Sequence, residues 1–148
     1  VPLKLDDAIR LAGPEEPTEF AMIMFDCNDL KRINDIYGFE HGNSYIVSAY
    51  EIIQSVFQDS PVYRINGGAF IVILEREAYE EREELIAVLE ERFRAAEDDI
   101  EREPWNRCSA AAGMTEYYSY SDSTVDQVFR RAELIMTRNK RIMKSERH

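Results

Sequence analysis

The feature that most restricts this chain is residues 19–25, EFAMIMF, an almost wholly apolar run bounded by Pro17 and the polar Asp26. The run is too short for a buried helix and lacks the alternation of a half-exposed strand. It reads as a central β-strand covered on both faces. Such a strand needs partners beside it and helices above and below. From 43 to 57, Ile46, Ala49, Ile53 and Val56 recur at helical spacing. Residues 62–65 and 70–74 are β-rich and flank Asn66-Gly67-Gly68-Ala69, a hairpin signature. Residues 78–102 predict a long helix with Leu85, Leu89, Phe93, Ala96 and Ile100 on one face, ended by Pro104. Residues 107–118 predict a strand, small in its first half and aromatic in its second; Tyr117, Tyr118 and Tyr120 form an aromatic cluster that reads as a strand end packing on a neighbour, the alternative being a surface that covers a partner. Thr124 is placed to cap a last helix with Val125, Val128, Phe129, Ala132, Ile135 and Met136 facing inward. With a helix ahead of the first strand, the predicted order is helix, strand, helix, hairpin, helix, strand, helix. α and β are interleaved around one sheet.

At 148 residues the chain has room for one domain with its own core. Its 45% hydrophobic and 32% charged content excludes both disorder and a membrane-spanning bundle. A net charge of −11 argues against nucleic acid or an anionic membrane as partner. The charge is unevenly spread, however. Residues 75–103 hold 13 acids against 5 arginines, whereas residues 130–148 hold 7 basic and 2 acidic groups. A small anionic ligand near the second segment is therefore not excluded. Cys27 and Cys108 are too few for a disulfide framework, match no zinc spacing, and read as reduced thiols. The start at Val1 without a Met points to one domain, residues 1–148, cut from a longer protein. A cytoplasmic location is expected, with any membrane anchor in the rest of that protein.

Two segments could carry chemistry. In Asp26-Cys27-Asn28-Asp29-Leu30-Lys31, Asp26 sits where a buried strand emerges, a suitable place for a carboxylate holding a hard cation. Nucleotide-bound Mg²⁺ takes one or two protein carboxylates and borrows phosphate oxygens for the rest. Lys31 could act as a point charge for those phosphates. Asn34 offers a donor and an acceptor on one amide, suited to a purine edge. The alternative reading is that Asp26, Asn28 and Asp29 cap a following turn or helix. At the hairpin tip, paired glycines let a phosphate approach backbone N–H groups, or simply make the turn.

Taken together, residues 26–38 (DCNDLKRINDIYG), Gly42-Asn43 and residues 63–74 (YRINGGAFIVIL) resemble the GGDEF domain of diguanylate cyclases. That family reads roughly D-x-D-x-F-K-x-x-N-D-x-x-G-H-x-x-G-D, then R-x-G-G-D/E-E-F. Residues 132–140 (AELIMTRNK) are similar to its C-terminal A-D-x-A-L-Y-x-A-K pattern. The resemblance spans residues 3–144; the family's opening D-x-L-T-G-L-x-N-R segment is missing or truncated. It implies an α+β sandwich, with a mostly antiparallel sheet flanked by helices, nucleotidyl-cyclase-like with a ferredoxin-like core. Carried over by position, it implies Asp26 as metal ligand and Lys31, Lys140 and Lys144 on the phosphate side. It implies Asn34 as the guanine reader, with Asn43 at the second guanine-contacting position and Gly67 in the signature loop.

The departures fall on the chemistry. Anchored on Arg64 and Phe70, the signature becomes Asn66-Gly67-Gly68-Ala69-Phe70, so Gly68 and Ala69 replace the two acids. The second Asp of D-x-D is Asn28, the second guanine-contacting acid is Asn43, and the family His is Phe39. The product-inhibition motif R-x-x-D would need Arg and Asp where Phe57 and Ser60 stand, so product binding there is not expected. Attack of a ribose hydroxyl on a triphosphate needs charge neutralisation, and losing such a group costs roughly a hundredfold or more in rate. The expectation is a degenerate GGDEF domain with no catalytic residues. It would act as a regulatory, nucleotide-sensing or dimerisation module, with Mg²⁺ and GTP bound only if the nucleotide site is retained. An active cyclase with an unorthodox site and a purely structural domain are the alternatives.

Overall fold

The computed structural model describes residues 19–146. The elements run β1 (Phe20–Cys27), α1 (Leu30–Tyr37), α2 (Phe39–Val56), β2 (Val62–Asn66), β3 (Ala69–Glu75), α3 (Arg76–Glu80), α4 (Arg82–Asp98), a 3-10 turn (Pro104–Asn106), β4 (Ala110–Glu116) and α5 (Val125–Glu146). The strands form one sheet in the order β2-β3-β1-β4, and every pairing is antiparallel. With helices between β1 and β2 and between β3 and β4, this is the ferredoxin-like order. Helices flank both faces, as expected for an α+β sandwich. The helix expected ahead of β1 and the segment matching the family's opening lie outside the described residues. Among the described residues no helix is long and apolar enough to cross a membrane.

β1 explains the layering. Its odd residues Ala21, Ile23, Phe25 and Cys27 face α2 and α4, packing with Phe70, Val72 and Leu74 against Tyr45, Ala49, Ile53, Leu89 and Phe93. Its even residues Phe20, Met22 and Met24 face α5, packing with Ile71, Ile73 and Ala111 against Val128, Ala132 and Met136. A strand covered on both sides has no solvent face to place polar residues on, hence the unbroken apolar run. Phe57 is buried beside Phe25, with ring centroids 6.2 Å apart, so position 57 belongs to the core.

Several boundaries differ from the sequence expectation. The helix expected from 43 begins at Phe39, and a separate α1 precedes it, broken off at Gly38. α1 has no fully buried residue; only Leu30 and Ile33 pack on the core, too short a stripe to register as a period. The helix expected over 78–102 is two, α3 and α4, and it stops at Asp98. There the chain turns outward, and the carbonyls of Asp99 and Ile100 accept hydrogen bonds from Arg107. Ile100 is therefore 82% exposed instead of inward-facing. Pro104 opens the 3-10 turn rather than ending a helix. β4 is shorter than expected, and Tyr117 stacks on Phe20 at 5.0 Å while Tyr120 is exposed. Thr124 does cap α5: its Oγ1 accepts from Gln127 N, and the Gln127 side chain accepts from Ser123 N and Thr124 N, a capping box.

Two contacts set α5 on the sheet. The small residues of β4 let it come close, and at Gly113 a Cβ would run into the α5 backbone at Ala132 and Met136. Arg131 then clamps the β4 end, donating to Thr115 Oγ1 and Glu116 O at 2.6 Å each and to both carboxylate oxygens of buried Asp122. Asp122 also accepts from Tyr118 N at 2.8 Å. The Arg131 hydrogen bonds, with that backbone donor, hold the Asp122 carboxyl below the usual carboxylate range.

Gly113→Ala is expected to destabilise the fold by about 1–3 kcal/mol, as an overpacked contact against backbone that cannot yield; denaturant unfolding measures it. Since the folded pKa of Asp122 lies below its unfolded value of about 3.9, its contribution is complete above that value and lost as pH falls through the folded one. Asp122→Asn should thus be less stable than the parent at pH 7, with the gap closing as unfolding is measured at progressively more acid pH.

Candidate functional site

The parity that builds the core also aims the site residues. Asp26 is the next even position of β1 after Met24, so it points to the α5 side, paired between Ala69 and Ala111. On α5 the buried series Val128, Ala132, Met136 advances in steps of four, and the next step is Lys140. The two apolar stripes thus end on a charged pair: Lys140 Nζ donates to Asp26 Oδ2 at 2.6 Å and to the Cys27 carbonyl at 3.0 Å. Both side chains are about one-third exposed.

This pair lies in an open groove of about 640 Å³ lined by residues 26–32, Asp35, Ile36, Lys140 and Lys144. Lys31 is highly exposed and bridges to Asp35 at 3.0 Å, one helical turn on. Arg32 and Lys144 form no ion pair among the described residues. The structure therefore brings Asp26, Lys31, Lys140 and Lys144 around one groove and adds Arg32, which sequence reasoning missed although it adjoins Lys31.

Asn34, Asn43 and Gly67 lie outside that lining. Asn34 rests its side chain over Gly42 at the α1–α2 junction, and neither it nor Asn43 makes a side-chain hydrogen bond among the described residues. Gly67 is exposed at the hairpin tip with φ 43°, its carbonyl accepting from Arg64 Nε at 2.9 Å. Asp29 occupies the N-cap position of α1 in the left-handed region (φ 62°), but its side chain makes no capping bond. Asn28 is buried, and its amide donates to Ser109 Oγ at 2.9 Å. The buried Tyr45 hydroxyl donates to Asn28 O and accepts from Ser109 N at 3.1 Å. This network, invisible as a motif, fixes the β1–α1 corner under the groove. Burial pushes the Cys27 thiol up to about 12 and the Cys108 thiol up to about 11, so both stay protonated and unreactive.

Among the described residues the chain offers no all-protein divalent-cation site. Among the described residues no three His, Cys, Asp or Glu converge on a common point. Asp26 is the one strand-held carboxylate in the groove, and it is already paired. Across the hairpin, Gly68 lies against β1, with the Cys27 N–H donating to its carbonyl at 2.9 Å. A Cβ at Gly68 would stand 2.9 Å from Cys27 Cβ and 3.1 Å from Leu30 Cδ2, so the place of a side chain is filled. Ala69 is buried in the apolar layer under α5.

The sequence from 2 to 146 matches the family model "Diguanylate cyclase, GGDEF domain". This chain is a GGDEF-family domain. No curated protein matches it. Solved structures with the same fold include the diguanylate cyclase SiaD of Pseudomonas aeruginosa, crystallised with its activator SiaC, at 19% identity and TM-score 0.77 over 93% of this chain and 53% of that one. The chain thus spans about half the length of SiaD. The GGDEF domain of DgcB from Caulobacter crescentus, in complex with c-di-GMP, is 22% identical with TM-score 0.75, covering 93% and 80%. The active GGEEF domain of a diguanylate cyclase from Vibrio cholerae is 24% identical with TM-score 0.71, covering 91% and 81%.

In this GGDEF domain, an acid introduced at Gly68 is expected to cost stability. Gly68→Asp should lower the denaturant midpoint by an amount equivalent to about 1–3 kcal/mol, through the Cys27 and Leu30 contacts. Tyr45→Phe should cost a similar amount, because it removes the buried hydroxyl that donates to Asn28 O and accepts from Ser109 N.

Proposed function

We propose that this GGDEF domain is catalytically silent and works as a regulatory module of cyclic di-GMP signalling that senses a guanine nucleotide. The observation that carries the reading is the hairpin. Gly68 and Ala69 stand at the acidic signature positions, and the space for a carboxylate at 68 is taken by Cys27 and Leu30. Without those acids the domain lacks the groups that would gather charge on a triphosphate and help deprotonate an attacking hydroxyl.

What remains suits binding. Lys31, Lys140 and Lys144, joined by Arg32, surround the groove and supply cationic donors for phosphate oxygens. Asn34 and Asn43 keep uncommitted amides at the α1–α2 junction, able to pair with a purine edge. Gly67 exposes backbone at the hairpin tip. A regulatory module needs a listener, so the domain is proposed to act within a longer cytoplasmic signalling protein, through a second copy or neighbouring signalling domains.

Incubation with GTP and Mg²⁺ or Mn²⁺, followed by chromatography of the products, should yield no cyclic di-GMP, while calorimetry should register GTP binding. Sustained cyclic di-GMP formation that disappears in Asp26→Ala would overturn the silent reading and establish an active cyclase.

A further inference from the structure

The groove already contains a cation of its own. Lys140 Nζ stands 2.6 Å from Asp26 Oδ2 and 3.0 Å from the Cys27 carbonyl, bonded to two oxygens from adjacent residues at the strand end. A small divalent ion using these oxygens would need them at about 2.0–2.1 Å and in near-octahedral company. It would overlap the ammonium, so Lys140 would have to leave. Its departure would free a positive charge beside a dication, and Gly68 and Ala69 supply no side-chain oxygen to compensate.

We propose that this domain takes the polyphosphate of a nucleoside triphosphate without a divalent cation, the Lys140 ammonium acting as the built-in counter-ion. The inference rests on the nucleotide-sensing reading above. An ammonium has three N–H donors; Asp26 and Cys27 use two, and the third is left for a phosphate oxygen. Arg32 and Lys144, unpaired among the described residues, line the same groove and add two further cationic contacts. Lys31 can join by exchanging its exposed bridge to Asp35, which is weakly held in water.

The proposal reverses the role of Asp26. In a metal-dependent site Asp26 is a ligand, and Asp26→Asn weakens nucleotide binding. Here Asp26 is a negative charge beside the phosphates that positions Lys140. Asp26→Asn keeps an acceptor for Lys140 and removes the repulsion, so binding tightens.

Calorimetric titration of the chain with GTP, in EDTA and again in excess Mg²⁺, reads this directly. The expected result is equal or tighter binding in EDTA, tightened roughly fivefold by Asp26→Asn and weakened at least about tenfold by Lys140→Met, with circular dichroism confirming that both variants fold. Binding that requires Mg²⁺ and is weakened by Asp26→Asn overturns the built-in cation and leaves the nucleotide-sensing reading standing. No binding in either buffer overturns both.

Discussion

Everything in this domain is referred to β1, which like its neighbour β3 is paired on both edges and covered on both faces. Its period of two divides the core into two layers, and the same period decides which side Asp26 faces. α5 contributes the matching constraint, because its buried series at steps of four reaches Lys140 one step beyond Met136. The charged pair is therefore a continuation of core geometry. It forms where two apolar stripes run out into solvent together. A shift of β1 by one residue would turn Asp26 to the opposite face and exchange Met22 and Met24 with Ala21, Ile23 and Phe25 between two differently shaped layers, so the core protects the site's register.

The distance between those stripes is set elsewhere, on β4. α5 can approach only because Gly113 presents no side chain to the helix backbone, and because Arg131 holds the β4 end and the following loop together through Thr115, Glu116 and Asp122. The hairpin obeys the same economy. Gly68 lets β3 close onto Cys27, and Ala69 fits the apolar layer under α5. The two departures from the family signature are thus packed into their surroundings. An acid introduced at 68 meets the side chains of Cys27 and Leu30.

Much of this was legible from the residues. The buried strand, the hairpin, the Thr124 cap and the inward stripe of α5 follow from short-range periodicity and capping chemistry, which a sequence displays directly. α1 did not show, because only Leu30 and Ile33 of its two turns reach the core. The end of α4 did not show either: Arg107 decides it, from eight residues downstream of Asp99, by drawing the Asp99 and Ile100 carbonyls out of helical pairing. The Asn28–Tyr45–Ser109 network joins residues up to 81 positions apart and has no local signature. Of the site, the residue types and their family positions were readable. The Lys140–Asp26 contact forms no local motif, although strand parity and helical spacing together contain it.

Net charge is a poor guide to such a site because screening is short-ranged. The acids that make the chain −11 are concentrated on α3, α4 and the turn after them, and α4 packs on the face of the sheet opposite α5. Exposed charges separated by more than about 8–10 Å contribute little to one another at physiological salt. What an incoming phosphate meets is the local set, in which Asp26 and Asp35 are each matched by a lysine while Arg32 and Lys144 stand open among the described residues. A strongly acidic protein can therefore hold an anion, provided its carboxylates are either elsewhere or already spoken for. Under the proposed reading, the absence of side-chain oxygens at Gly68 and Ala69 and the pairing of Asp26 favour a site built from the chain's own cations over a metal-centred one.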